Sequence, residues 1–269
     1  MNKRIIDHHM HTNFSPDADP KATMELYIKS AKEKGIEGVM FTDHVDFDFP
    51  MPIFFEMIDY DLYQKEIARV RIEENFNVYM GVEIGYQPHL NERMTNFLKS
   101  YPFDFVICSI HLGDGLDFYN GDFFKGKTQA EAYRRYYEIV LHAVKSYDDY
   151  DVFGHLDYII RYGGYENRTY QLKDYAEILD EILMTIIKKG KGLEINTSGI
   201  RYGLGVLHPG IDLLKRYKEL GGKIITFGSD THKIKDYYDG FEEAKKMLLE
   251  AGFEYVTVFK NRKPEFVKI

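Results

Sequence analysis

At 269 residues, with 44% hydrophobic and 29% charged side chains, the chain has the make-up of an ordinary soluble globular protein whose core needs no staples. Its one cysteine, Cys108, excludes an intramolecular disulfide and thiolate metal clusters, and fits a reducing compartment. The net charge of -8 comes without any basic stripe, which argues against nucleic acid as a partner, and no stretch approaches the roughly 18 apolar residues of a membrane span. Met1-Asn2-Lys3-Arg4 runs into a strand with no apolar leader segment, so the expected location is the cytoplasm.

Apolar runs of strand length alternate with segments of helical period, the pattern of βα units on a parallel sheet. A first strand starts at Arg4-Ile5-Ile6 and ends in Asp7-His8-His9-Met10-His11-Thr12. Pro20 to Gly35 reads as a helix, with Leu26 and Ile28 on its apolar side and Gly35 as its stop. Strand two, residues 38–41, leads to Thr42-Asp43-His44, then an aromatic, Pro-rich loop and a helix near 62–74. Strand three, 78–82, ends at Glu83; a helix near 90–100 precedes strand four, 103–110, which ends at His111. Residues 113–127 read as a long loop, a lid or substrate wall, bearing Phe118, Tyr119, Phe123 and Phe124.

A helix over 129–146 leads to strand five, 151–154, which delivers His155. After a loop over 161–168 and a helix near 172–189, strand six (192–196) places Glu194 and Asn196 on one face. A helix near 211–220 and strand seven (223–227) bring the chain to Gly228-Ser229-Asp230-Thr231-His232, before a last helix near 240–251 and a β-rich tail. No linker or repeat interrupts the series, so the expectation is one domain over residues 1–269.

Six of the ten histidines fall at the carboxyl ends of these strands, together with Glu83 and Asp230. Side chains two apart on a strand share a face, so His9 and His11 project together. Closing seven parallel strands into an α/β barrel would gather all these ends in one mouth, where barrel enzymes keep their chemistry. Imidazoles and carboxylates without thiolates suit zinc, manganese or iron, and they are too many for one tetrahedral ion. His8 faces away from His9 and His11 and is expected in the core; His89, His142 and His208 lie off the strand ends and are expected to bind no metal. Cys108 is expected to be buried packing.

The series Asp7-x-His9-x-His11-Thr12, Thr42-Asp43-His44, Gly81-Val82-Glu83, Ser109-Ile110-His111, Gly154-His155 and Gly228-Ser229-Asp230-Thr231-His232 resembles the polymerase-and-histidinol-phosphatase (PHP) superfamily. Within it, the chain length, the loop after His111, Gly154-His155-Leu156-Asp157-Tyr158 and Glu194-Ile195-Asn196-Thr197-Ser198-Gly199-Ile200-Arg201 are most similar to the monofunctional histidinol-phosphatases.

The resemblance implies a distorted (β/α)7 barrel and three divalent ions. His9, His11, Glu83 and Asp230 would hold one, Glu83 would bridge to a second held by His111 and His155, and Asp17, His44 and His232 would hold the third. Ser15-Pro16-Asp17 suggests a carboxylate where some relatives place a histidine. A hydroxide bridging metals about 3.5–4 Å apart would attack the phosphorus of a phosphomonoester, L-histidinol phosphate. Three such cations would outweigh the ligand carboxylates, so an acidic chain would still bind phosphate.

Arg161 and Arg201, which follow strands five and six, would meet the phosphate oxygens. Asp7 and Asp43 would orient imidazoles, and Glu194 is either a ligand-side group or such an orienting acid. Two other readings stand beside this one: a PHP enzyme acting on nucleotides or another small phosphomonoester, and a non-catalytic metal-binding module.

Overall fold

Short runs rich in Val, Ile and Phe pair side by side, all parallel, in the order of the sequence. The computed structural model describes residues 2–269; Met1, where the leader expectation begins, lies outside them. The strands are β1 (Gly38–Phe41), β2 (Asn77–Gly85), β3 (Phe105–Ser109), β4 (Val152–Phe153), β5 (Gly192–Asn196) and β6 (Ile225–Gly228). Helices α1 (Met24–Lys34), α2 (Tyr60–Glu73), α3 (Asn91–Ser100), α4 (Gln129–Ser146), α5 (Ala176–Lys188), α6 (Ile211–Glu219) and α7 (Phe241–Glu250) alternate with them. Because each strand pairs with its predecessor, the sheet curls in one direction, and its carboxyl ends converge. A two-residue strand, His44–Val45, adds to the upper end of β2 and sets His44 opposite Glu83.

The barrel closes through the amino-terminal segment. Toward β1, Glu37 N–H donates to the Lys3 carbonyl (2.9 Å) and Thr42 N–H to the Met10 carbonyl (3.0 Å). Toward β6, His8 N–H donates to Phe227 (2.9 Å), Asp230 N–H to His9 (2.8 Å) and His11 N–H to Thr231 (2.9 Å). The segment therefore occupies the place of a seventh strand, but it is not the regular strand expected from Arg4 onward. Side chains take over its ladder. Asp7 accepts from the His9 N–H (3.1 Å) and from the Ser229 N–H across the seam (2.9 Å), and Thr42 Oγ1 accepts from Met10 N–H (3.0 Å).

The helices match the periodic segments with local corrections. α1 starts at Met24, four residues beyond Pro20, because the Thr23 side chain caps it by accepting from Leu26 N–H. Tyr27, Ile28 and Ala31 form its buried stripe, leaving Leu26 40% exposed rather than on the apolar side. α4 begins and ends where expected, opened by a capping box between Thr128 and Glu131. α5 is preceded by a tight turn over Leu172–Tyr175, which shortens it by one turn.

The 113–127 stretch is more ordered than a loop. Leu112–Gly113 and Leu116–Asp117 pair as a hairpin whose turn, Asp114-Gly115, has φ of 54° and 74°, the left-handed backbone such two-residue turns require. The carboxyl-terminal strands β7 (Tyr255–Lys260) and β8 (Lys263–Lys268) form a second hairpin, packing Phe259 against Phe105 at 5.0 Å.

His8 lies in the core as expected, with Nδ1 donating to Ile6 carbonyl and Nε2 accepting from Phe259 N–H. Burial pushes its imidazole down to about 3, so it is neutral in that role. Cys108 is fully buried. Among the described residues no helix is long and apolar enough to cross a membrane.

Since Asp7 satisfies two buried N–H groups at the closing seam, Asp7→Ala should cost about 2–4 kcal/mol of unfolding free energy, and Asp7→Asn, which keeps an acceptor, distinctly less. Chemical denaturation of the two variants measures the difference.

Candidate metal centre

Glu83, at the upper end of β2, is the point on which the strand ends converge. It is 1% exposed. Its Oε2 lies 3.2 Å from His9 Nε2, 3.5 Å from His11 Nε2 and 3.1 Å from His44 Nδ1. Its Oε1 lies 3.0 Å from His155 Nε2 and 3.3 Å from His111 Nε2, and accepts a 2.6 Å bond from the Ser109 hydroxyl. Asp230, after β6, brings Oδ1 to 3.8 Å from His9 Nε2, 3.6 Å from His11 Nε2 and 3.7 Å from His232 Nδ1. Asp17 Oδ2 stands 3.2 Å from His232 Nε2 and 3.6 Å from His44 Nε2. The structure thus brings together all nine residues singled out in the sequence as candidate ligands.

The donor atoms fall into three tight groups: His9, His11 and Glu83; His44, Glu83 and His111; and His11, His44 and His232. The first holds three of the four residues of the first implied set, Asp230 standing slightly farther off. The other two overlap the implied sets and have His44 in common, while His11 belongs to both the first and the third group, because its ring is stacked between those of His44 and His232, 4.1 Å from each.

The electrostatics follow from packing acids and imidazoles out of water. Burial alone would raise the Glu83 carboxyl, but His9 and His111 hold it well below its usual range. Asp230 is lowered likewise, against its burial, by His9, His232 and Arg161. Burial and the neighbouring imidazoles of His44 and His232 push His11 well down, and burial lowers His155, so both are neutral lone-pair donors. Burial opposes protonation of His9 too, yet Glu194, Glu83 and Asp230 carry it well above its ordinary value. Ionised acids and imidazoles competing for positive charge are the donor set that divalent cations satisfy.

The ring orientations agree. His9 Nδ1 is held by Glu194 Oε1 at 2.6 Å, His11 Nδ1 lies 3.3 Å from the Ser15 hydroxyl, and His111 Nδ1 pairs with Asp46 Oδ1 at 2.8 Å. Each leaves Nε2 for the centre. His9 Nε2 and His11 Nε2 are buried there without a hydrogen-bond partner, as ligand atoms are before a cation is counted.

The orienting acids differ from those expected. Asp7 bonds main-chain N–H groups, and Asp43 accepts from the N–H and hydroxyl of both Thr12 and Ser15, so it reaches His11 only through Ser15. Glu194 is an orienting acid: besides His9 it accepts from the His155 N–H (2.9 Å). Asp46, missed in the sequence, faces both His111 and His44 Nδ1, the latter at 3.2 Å. It stands two residues after His44, but the strand there spans only His44–Val45, so no alternation marked it in the sequence.

Of the residues expected to bind no metal, His208 pairs with Asp157 (2.7 Å), His142 lies beside Tyr86, and His89 pairs with Asp48 at the surface. All three stand outside the donor groups.

The centre opens into a cavity of about 400 Å³ whose lining includes Asp17, Glu83, Asp230, Arg161 and a set of aromatic rings. Arg161 packs its guanidinium 3.2 Å from the centre of the Tyr202 ring, keeps Nη1 3.5 Å from Asp230 Oδ2, and has its Nε buried without a partner. Arg201 stands differently. Its Nη2 donates to the carbonyls of Ser229 (3.0 Å) and Asp230 (2.7 Å), and it does not line the cavity.

Comparison with known proteins agrees with this architecture. The family model described as "PHP domain" matches residues 7–198, well over half of the sequence. The chain belongs to the PHP family. Asp230 and His232 lie beyond the matched span of this PHP chain and join its centre through barrel closure.

The chain is 34% identical over 261 residues to the histidinol-phosphatase of Lactococcus lactis subsp. lactis, covering 96% of this chain and 95% of that one. It is 33% identical to a probable histidinol-phosphatase of Clostridium acetobutylicum, covering 96% and 98%. A crystal structure of the Lactococcus lactis histidinol phosphate phosphatase, complexed with zinc, L-histidinol and phosphate, superposes with a TM-score of 0.90 at 34% identity, over 97% of this chain and 99% of that one.

Because Asp46 fixes the His111 ring, Asp46→Ala should weaken the uptake of an added divalent cation about 10–100-fold, read by competition with a chromogenic chelator, while Asp46→Asn retains part of the affinity.

Proposed function

We propose that this protein hydrolyses L-histidinol phosphate to L-histidinol and phosphate, the phosphatase reaction of histidine biosynthesis, and that its whole length works as one catalytic domain. The observation that carries the reading is near-complete alignment with a protein whose structure holds zinc, L-histidinol and phosphate, joined to an unbroken set of donor residues here.

Three divalent ions fit the donor set, with zinc the first candidate and manganese or iron the alternatives. His9, His11, Glu83 and Asp230 would hold one, His111 and His155 with Glu83 a second, and Asp17, His44 and His232 a third. Bound there, such ions supply Lewis-acid stabilisation of phosphoryl oxygens and acidify water.

The chain's own residues do the rest. Arg161 faces the cavity with unpartnered Nε, so it meets phosphate oxygens and neutralises charge that builds on them. Its stacking on Tyr202 restricts the guanidinium before substrate arrives. Arg201 acts one step back, holding the carbonyls on either side of the Asp230 N–H and so the position of Asp230. The aromatic-walled cavity of about 400 Å³ has room for a small phosphomonoester.

Exhaustive chelation should abolish phosphate release from L-histidinol phosphate and added zinc or manganese should restore it; activity indifferent to chelation would overturn the reading. His111→Ala should lower kcat/KM by about 100-fold or more, a far larger effect than its loss of thermal stability, whereas His142→Ala, outside the centre, should alter neither. A panel of nucleotides and sugar phosphates measured alongside tests the substrate class.

A further inference from the structure

We propose that Asp117 is the group that recognises the ammonium of the substrate, and so selects an amino-alcohol phosphate over other phosphomonoesters. This rests on the substrate reading above and assigns a residue to the part of the molecule that the metal centre does not touch.

Asp117 lines the same cavity as Glu83, Arg161 and Asp230, yet is not among the nine candidate ligands. It is 2% exposed. One carboxylate oxygen accepts the Tyr119 N–H at 2.8 Å; the other, Oδ2, is buried with no hydrogen-bond partner. The remaining acids of the cavity wall contrast with this. Asp17, Asp46, Glu83 and Asp230 each face at least one imidazole or guanidinium within 4.0 Å.

A carboxylate withdrawn from water with one oxygen unsatisfied is costly unless a cation or strong donor reaches it. A primary ammonium, with three N–H donors and a full charge, fits that requirement, and a phosphate ester of an amino alcohol carries one a few bonds from its phosphorus.

The hairpin holds Asp117 in place for this. Asp117 pairs with Leu112, immediately after the candidate ligand His111, so the recognition group and the metal centre are tied by one residue of chain. The turn is pinned to α4 by Arg135, which grips Asp114 with two hydrogen bonds of 3.0 and 2.7 Å. Phe118, next to Asp117 in the chain, packs edge-on to Phe123 at 4.9 Å. A carboxylate fixed in this way discriminates through position as well as charge.

The test compares L-histidinol phosphate with the same phosphate lacking the amino group, on the zinc-loaded protein and on Asp117→Asn and Asp117→Glu. The expected result is a kcat/KM ratio favouring the aminated substrate that falls about 10–100-fold in Asp117→Asn, through KM more than kcat, and is partly restored in Asp117→Glu. Affinity for L-histidinol, read by calorimetry, should fall in parallel, which reports on the contact apart from turnover.

Equal losses on both substrates, or a ratio that does not move, would overturn the assignment of Asp117 while leaving the phosphatase reading intact. A native enzyme that hydrolyses the amine-free phosphate but not L-histidinol phosphate would overturn both.

Discussion

The burial of one carboxylate governs this molecule. Glu83 is shut away from water with imidazoles of five residues around it, and none of those five shares its strand. A carboxylate in that setting is tolerable only when positive charge surrounds it. His9 and His11 come from the closing segment, His44 from the two-residue strand that follows β1, and His111 and His155 from beyond β3 and β4. Of the two imidazoles that hold Glu83 ionised, His9 comes from the closing segment, so that part of the compensation is in place only once the barrel is closed.

That dependence explains where the sequence was readable. The paired spacing of His9 and His11, and the recurrence of imidazoles at strand ends, follow from strand geometry, and the structure gathers every one of the nine expected residues. The order of the strands around the sheet follows from the same alternation. The regularity of the first strand was not readable, because Asp7 and Thr42 replace main-chain partners with side chains, and such replacements leave no mark on hydrophobic periodicity. Leu26 shows the same limit on a helix: Tyr27 and Ile28 take the inward direction, and a leucine beside them is left in water.

The orienting groups were the least legible. Asp7 and Asp43 adjoin histidines in sequence, yet bond backbone and hydroxyl groups; Asp46, which does hold an imidazole, sits where a two-residue strand runs into an aromatic loop too short to show alternation. Adjacency along the chain is a poor guide here because neighbouring strand residues point to opposite faces. Glu194 illustrates the converse. It lies 185 residues from His9 in sequence and 2.6 Å from its Nδ1 in space. Only the register of β5 beside β6 and the closing segment could reveal that pairing.

The loop after β6 shows how the fold stores constraint at the centre. Asp230 has φ of 51° and His155 φ of 22°, left-handed values that side chains other than glycine seldom adopt. At Asp230 the surrounding bonds over-determine the conformation: its N–H donates to His9 carbonyl, its own carbonyl and that of Ser229 accept from Arg201, and its carboxylate faces Arg161. Gly228 is needed just before it, since a Cβ there would fall 2.0 Å from Glu194 Oε1 and 2.7 Å from His9 Cβ. The glycine lets Glu194 reach His9, and the strained turn that follows aims Asp230 back at the same imidazole. His9 is thereby gripped from both sides, by an acid that fixes its ring and an acid that shares its lone-pair face, which is the arrangement a ligand requires to hold its direction when a cation binds.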